Sequence, residues 1–400
     1  MTDLHRHPAP ARTGRNRPVV LLDRTLLAAA AWSGLHVLVA LRWLLDPDSW
    51  PWNGGGDFGL LPLLPPRVGS AAVLAAAGAG LLLALTARQR GPSTGLVVAT
   101  AAEAALLAAL SADIGALVLL GYLCAIVGPA AFLAAFTAGA VHDRRRRPWL
   151  LAVLALGAVG LASGVLRPTT VGELARDLVA GFADRGLPPA HLALLLAGAG
   201  LWAAVAVLLR RATTGRCGVC GRPAARWTEP DAALRWGRVA TWIAAAGPLP
   251  YALVRMTWLT PWELGVPQGE DVDASMRLFG LALGAAALGG AVLTAGLVRP
   301  WGETWPGWVP GLRGRPVPLR VPVVAGGLVA VALLAASPGL LAHGIGGLLS
   351  GDRTAAAFLV VFPTLPWGLA LAAAVAGYAY RRRGACAVCG RGAPAVSVRR

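Results

Sequence analysis

The chain of 400 residues is 56% hydrophobic and only 14% charged, and its 36 basic and 19 acidic residues give a formal net charge of +17. A soluble protein of this length would carry enough charge to cover one core, so the composition excludes an ordinary soluble fold and indicates an all-α integral membrane protein. Every basic residue is arginine, and most arginines lie in short clusters between apolar runs. That distribution is typical of cytoplasmic loops and argues against nucleic acid as a partner.

Ten apolar segments, each long enough to cross a lipid bilayer as a helix, are predicted along the chain. After a basic tail at 1–18, six spans form a first membrane half over 19–211, and a cytoplasmic loop follows over 212–236. Four spans form a second half over 237–382, and a cytoplasmic tail over 383–400 ends the chain. The ten predicted spans are 19–45, 69–87, 95–112, 115–141, 149–166, 190–209, 239–259, 276–298, 321–341 and 355–380.

The distribution of arginine predicts the orientation of these spans. If odd-numbered spans run outward, 27 of the 36 arginines fall in cytoplasmic segments and five fall outside. Because arginines resist translocation, this asymmetry predicts a multi-pass protein of the plasma membrane with both termini in the cytoplasm.

The two halves resemble each other in sequence. The alanine triplet at 29–31 aligns with that at 244–246, and the Trp-Leu pair at 43–44 aligns with the pair at 258–259 at the same shift. Each half ends in an arginine cluster and a Cys-x-x-Cys-Gly-Arg motif. We interpret this pattern as a parallel internal repeat of a four-helix unit, in which the third and fourth spans are a two-helix insertion in the first copy.

The two cysteine motifs predict a metal site on the cytoplasmic face. The motifs place Cys217 and Cys220 in the middle of the chain and Cys386 and Cys389 near its end. Two Cys-x-x-Cys turns supply the four thiolates of a closed tetrahedral site, and cytoplasmic thiols stay reduced. Structural zinc is the preferred interpretation. Iron, a redox dithiol and unliganded cysteines are the alternatives, and Cys124 is interpreted as a packing residue within a span.

Polar residues within predicted spans are candidates for a functional site, because such groups are costly in the membrane core. Glu103 lies in the middle of the third span, either as a functional group or as a protonated residue hydrogen-bonded to a neighbouring helix. The repeat alignment pairs His36 with Tyr251, so these residues, with Arg42 and Arg255, are predicted to form a polar cavity near the outer face. The two arginines can equally extend to the lipid headgroups. Predicted helix breaks lie at Pro129, Pro248, Pro250, Pro363 and Pro366.

The favoured function from sequence is a transporter or permease-like carrier of a small-molecule solute, with lipid as its surroundings. One alternative is a membrane-embedded enzyme or redox protein acting on a lipid or quinone. Another is a scaffold that docks a cytoplasmic protein partner through its zinc knuckle. No phosphate-binding loop and no nucleophile triad is found in the sequence, and no catalytic residue is predicted.

Overall fold

The structure is a computed structural model. It describes residues 17–52, 59–115, 147–162, 187–223, 225–266, 273–307 and 312–392, with the isolated positions 117–118, 120–121, 134, 137, 169, 172, 176 and 309. Over these residues the chain is helical, and its only β contact is one isolated bridge between Thr304 and Pro316. The predicted all-α class is therefore confirmed for the described part of the chain.

Twelve α-helices are present in the described ranges. In the first half they are α1 (Arg17–Leu45), α2 (Leu60–Leu63), α3 (Pro66–Arg90), α4 (Thr94–Leu110), α5 (Arg147–Ala162) and α6 (Leu187–Thr213). In the second half they are α7 (Pro230–Ala246), α8 (Leu249–Thr257), α9 (Ala274–Ala295), α10 (Arg320–Ser350), α11 (Arg353–Val361) and α12 (Thr364–Arg382).

Six helical segments of the described chain are long and apolar enough to cross a membrane, and they match the first, second, sixth, eighth, ninth and tenth predicted spans. They are Val20–Leu45, Pro66–Arg90, Ala190–Thr213, Met276–Val298, Arg320–Ser350 and Arg353–Arg382. Large apolar side chains project outward from these segments, as Leu38, Leu82 and Leu349 do. An apolar outer surface of this kind suits contact with lipid and supports the membrane assignment.

The other four predicted spans are not confirmed as membrane-crossing helices. The third is the apolar helix α4, which has 17 residues, and the fifth is represented by α5, which has 16. The seventh is divided into α7 and α8 at Gly247–Pro248, where the predicted proline break lies. The fourth falls largely outside the described residues, as does Pro129. Within the described residues, six of the ten predicted spans are thus supported as membrane-crossing helices.

Two prolines of the second half act differently. Pro363 separates α11 from α12, as predicted, because its ring cannot continue a helix from the preceding turn. Pro338 lies inside α10, and the helix continues to Ser350 although the predicted ninth span ends at 341. The chain turns only at Gly351, whose φ of +80° is a left-handed conformation that suits glycine, and Asp352 then caps α11 through the N–H groups of the next turn.

The described helices pack as two bundles. In the first bundle, α1 packs on α3 and α6, and α4 packs on the same two helices, so that four helices enclose one core. In the second bundle, α7 packs on α9 and α12, α8 packs on α9, and α10 packs on α11 and α12. Each bundle has its own buried apolar cluster.

The core of the first bundle contains large aromatic side chains. Trp32, Trp43, Trp50, Trp52 and Trp202 are all buried in the first bundle.

In the second bundle, by contrast, α7 and α12 approach through glycine. A Cβ on Gly377 would lie only 2.8 Å from Gly237 Cα, so the two backbones are nearly in contact. Close approach at small residues is a common way for membrane helices to associate, since lipid gives little hydrophobic drive between them.

The end of α12 is tied to the loop that joins α9 to α10. Buried Arg381 donates hydrogen bonds to the Glu303 carboxylate and, at 2.6 Å, to the Leu297 carbonyl. Tyr378 donates from its hydroxyl to the Gly302 carbonyl at 2.7 Å. These bonds hold the last turn of α12 in place, and the second cysteine motif follows directly from it.

Candidate metal centre and buried polar cluster

Four cysteines from the two halves of the chain form one group, the four-cysteine cluster, made of Cys217, Cys220, Cys386 and Cys389. Their Sγ atoms all lie within 4.8 Å of one another, and the Cys220 and Cys389 sulfurs are 3.5 Å apart. Four sulfurs bound tetrahedrally to one ion at about 2.3 Å would lie roughly 3.8 Å from one another. The spacing in the structure therefore fits one metal ion shared by the two motifs.

The two motifs have the same local backbone fold. The Cys217 N–H donates to the Arg222 carbonyl at 2.8 Å, and the Gly221 N–H donates to the Cys217 carbonyl at 2.7 Å. The equivalent bonds of the second motif, Cys386 to Arg391 and Gly390 to Cys386, measure 3.0 and 2.8 Å.

The glycine after each second cysteine makes this turn possible. Gly221 has a φ of +74° and Gly390 a φ of +67°, in the left-handed region that glycine enters without steric cost. Each motif also begins four residues after the last helix of its bundle, α6 or α12. The two turns thus resemble each other in both conformation and position.

The surroundings of the first cysteine in each motif favour its thiolate form. Burial opposes ionisation of Cys386, but the backbone N–H groups of Cys389 and Val388 donate to its sulfur, and together with the neighbouring thiols they lower its pKa to about 7. The pKa of Cys217 is lowered in the same way by the N–H groups of Cys220 and Val219. By contrast, burial and hydrogen bonds shared with the neighbouring thiols raise the pKa of Cys220 to about 12. A bound cation would favour the thiolate form of all four.

Arginines hold the two motifs against each other. Arg222 of the first motif donates to the Gly384 carbonyl, at 3.1 Å, and to the Arg391 carbonyl of the second. Arg383, which lies between α12 and the second motif, donates to the Cys220 carbonyl at 3.4 Å and stacks on Tyr380. Beside them is a cleft of about 370 Å³, whose lining includes Arg222, Arg383 and Arg391. Their positive charge would offset the net negative charge of a divalent cation bound by four thiolates.

A second group of interest lies inside the first bundle, the buried polar cluster, made of Ser33, His36, Glu103 and Trp202. Ser33 of α1, Glu103 of α4 and Trp202 of α6 meet α3 at Gly80: a Cβ there would lie 2.6 Å from Ser33 Oγ and 3.2 Å from Glu103 Oε1. His36 lies about one turn beyond Ser33 on α1. None of the four residues is more than 4% exposed. Ser33 Oγ, His36 Nε2, Glu103 Oε1 and Trp202 Nε1 have no hydrogen-bond partner within the described part of the chain.

The predicted intramembrane residues are divided between the bundles. Glu103 and His36 belong to the buried polar cluster, whereas Arg42 is exposed at the end of α1. Arg255 accompanies Tyr251 on α8, where its Nε donates to the tyrosine hydroxyl at 3.0 Å and its guanidinium lies 4.1 Å from the Trp258 ring. The described contacts thus supply Arg255 with partners of its own in the second bundle.

Some residues of these sites were not predicted. Ser33 lies three residues before His36 on α1, so helical spacing alone would have placed both on one face. Trp202 belongs to the cluster because it packs beside Gly80. This contact joins helices that are distant in the chain, so the local sequence does not indicate it.

Comparison of the chain with models of protein families, with curated proteins and with solved structures finds no match.

Proposed function

We propose that this protein is a membrane carrier built of two helical bundles, whose cytoplasmic ends are held together by one structural zinc ion at the four-cysteine cluster. The observation that carries the proposal is the convergence of four sulfurs, two from each half of the chain, at equivalent positions beyond α6 and α12. The carried solute is a small molecule, taken up between or within the bundles.

Zinc is the ion that suits this donor set best. Four cysteine sulfurs with no oxygen or nitrogen ligand among them leave no open position for substrate, which is the pattern of structural rather than catalytic zinc. When bound, zinc supplies four metal–sulfur bonds that join the halves of the chain. The N–H groups that point at Cys217 and Cys386 stabilise thiolate ligands there.

The arginine distribution supports a cytoplasmic position for the cluster. Both cysteine motifs follow arginines at helix ends, Arg210 and Arg211 on α6 and Arg381 and Arg382 on α12. A single cysteine introduced at Leu312, which is exposed in the loop after α9, should therefore resist an impermeant thiol reagent in intact cells. One at exposed Leu264, beyond the other end of α9, should react. The reverse labelling pattern would contradict the proposed orientation.

Two features support a carrier. The recurrence of the same cysteine turn after the last helix of each bundle is what a parallel repeat produces, and such repeats are common in transporters. The first bundle also buries polar groups that have no described partners, and membrane proteins use such groups for binding.

Purified protein should be screened for thermal stabilisation by amino acids, sugars and organic ions, and each stabilising solute should be tested for uptake into proteoliposomes. A lack of both effects would argue against the carrier.

Zinc binding can be tested independently of the solute. Purified full-length protein should contain about one zinc per chain, and Cys220→Ser or Cys389→Ser should release the metal and lower the melting temperature together. The reason is that metal-binding free energy is also folding free energy, on the order of 10 kcal/mol in small zinc domains. Cys124→Ser, which changes the fifth cysteine of the chain, is the matched control and should keep both metal and stability.

A further inference from the structure

The buried polar cluster of the first bundle contains more hydrogen-bonding capacity than its described neighbours use. Four polar atoms on Ser33, His36, Glu103 and Trp202 are buried without a partner in the described part of the chain. Leaving such a group unsatisfied is energetically costly, and buried polar groups in proteins are nearly always paired with protein or water. The cluster therefore calls for a bound molecule or ion.

The chemistry of these atoms restricts what they can bind. His36 Nδ1 lies 3.0 Å from the Trp32 carbonyl, which can only accept, so Nδ1 carries a hydrogen and Nε2 of the neutral ring is an acceptor. The indole of Trp32 stacks on the imidazole with ring centres 3.9 Å apart and fixes its plane. Glu103 is an acid, Ser33 donates or accepts, and Trp202 only donates. The acceptor atoms of the Glu103 carboxyl and the His36 imidazole can accept hydrogen bonds from water, and either atom can bind a proton.

The electrostatic surroundings of Glu103 point the same way. Of the helices packed around it, α3 presents Gly80, α6 presents Trp202 and α1 presents Ser33. His36 follows about one turn beyond Ser33 on α1, and His191 of α6 lies further along, towards the end where α1 stops. The ion pair of Asp23 and Arg88 lies at the opposite end and is half exposed. No cationic side chain bonds Glu103 in the described chain. A carboxylate so placed in a membrane is costly, and it is stabilised by taking up a proton.

We propose that the buried polar cluster is a proton-binding site, in which Glu103 exchanges a proton through bound water with His36. In the uptake step, a proton from the His191 side adds to His36 Nε2 and gives an imidazolium whose Nδ1–H stays on the Trp32 carbonyl. The Nε2–H bond then breaks, water relays the proton to Glu103 Oε1, and neutral imidazole is restored. Ser33 orients the water. The use of this proton in solute transport rests on the proposed carrier function, whereas the site itself does not.

Infrared difference spectroscopy of the full-length protein in liposomes tests the proposal. The wild type should show one carboxylic acid C=O band that disappears as the pH is raised and that shifts within a brief exposure to D₂O. Glu103→Gln should lack this band and Glu103→Asp should retain a shifted one. Thr100→Val is the matched control: Thr100 lies one turn away on α4, but its hydroxyl already donates to the Leu96 carbonyl at 2.7 Å, so the band should be unchanged.

Further variants separate proton exchange from a sealed, purely structural acid. His36→Gln should slow the D₂O shift, because glutamine cannot carry the proton. In the wild type, dicyclohexylcarbodiimide, which adds to protonated carboxyl groups in apolar surroundings, should tag the peptide that contains Glu103 and leave Glu303, which is paired with Arg381, untagged. A band that ignores both pH and D₂O, or one that persists in Glu103→Gln, would overturn the proposal. If Glu103 exchanges a proton but the protein carries no solute, the proton-binding site is supported and only the carrier function is rejected.

Discussion

The two bundles deal with buried polar groups in opposite ways. In the second bundle, Arg381 is buried but bonded to the Glu303 carboxylate and to a backbone carbonyl, and Tyr378 is bonded to the Gly302 carbonyl. In the first bundle, Ser33 and Glu103 are buried to the same degree and have no partner among the described residues. Polar groups with all their hydrogen bonds made stabilise a structure, whereas a buried group without a protein partner indicates a bound water or ion or a functional role.

This contrast assigns different tasks to the halves. The satisfied network of the second bundle fixes the end of α12 and so positions the second cysteine motif. The first bundle positions the other motif through α6, and its interior polar groups have no partner among the described residues. The four-cysteine cluster brings together the cysteine motifs that follow the two bundles.

Among the buried polar groups of the two bundles, the largest effect on stability is expected from the paired charges of the second bundle. Arg381→Met or Glu303→Leu alone should lower the free energy of unfolding in detergent by about 3–5 kcal/mol, because each leaves one buried group without its partner. The double variant Arg381→Met with Glu303→Leu should recover much of this loss. Arg88→Met, which breaks the exposed pair with Asp23, is the control and should cost less than about 1 kcal/mol. Equal losses in the buried and exposed pairs would contradict the assignment of a structural network.

A smaller difference is expected when uncharged polar groups are removed from the two bundles. Tyr378→Phe should cost about 0.5–1.5 kcal/mol, since it removes a hydrogen bond of 2.7 Å. Ser33→Ala should cost less than Tyr378→Phe, because Ser33 Oγ has no described protein bond to lose and gives up only its contact with the proposed bound water. Thermal unfolding of both variants in one detergent makes the comparison. A loss in Ser33→Ala as large as that in Tyr378→Phe would mean that its hydroxyl is structural and that the contrast between the bundles is wrong.

The features that the sequence predicts well are those determined by local spacing. The Cys-x-x-Cys-Gly-Arg motifs predict their own turns, since glycine at 221 and 390 is needed for positive φ, and the breaks at Pro248 and Pro363 follow from the geometry of proline. Six of the predicted spans are confirmed, and the internal repeat stays a prediction.

The features that were not predicted depend on packing between distant segments. Arg381 and Glu303 are separated by 78 positions, and Glu303 lies in a segment that composition marks only as a polar loop. Gly80 is one of many small residues in an apolar helix. Only the packing of α1, α4 and α6 around it shows that the space beside its Cα is filled by Ser33, Trp202 and Glu103. The predicted ninth span runs through Pro338 but ends at 341, whereas α10 continues to Ser350.

The metal joining the two halves is the central claim, and X-ray absorption at the zinc edge of the purified full-length protein tests it most directly. We expect one zinc per chain with four sulfur neighbours at about 2.3 Å and no lighter ligand atom in the first shell. A site with nitrogen or oxygen ligands, or protein that contains no zinc while all four cysteines react freely with alkylating reagent, would contradict a zinc ion shared by the two bundles.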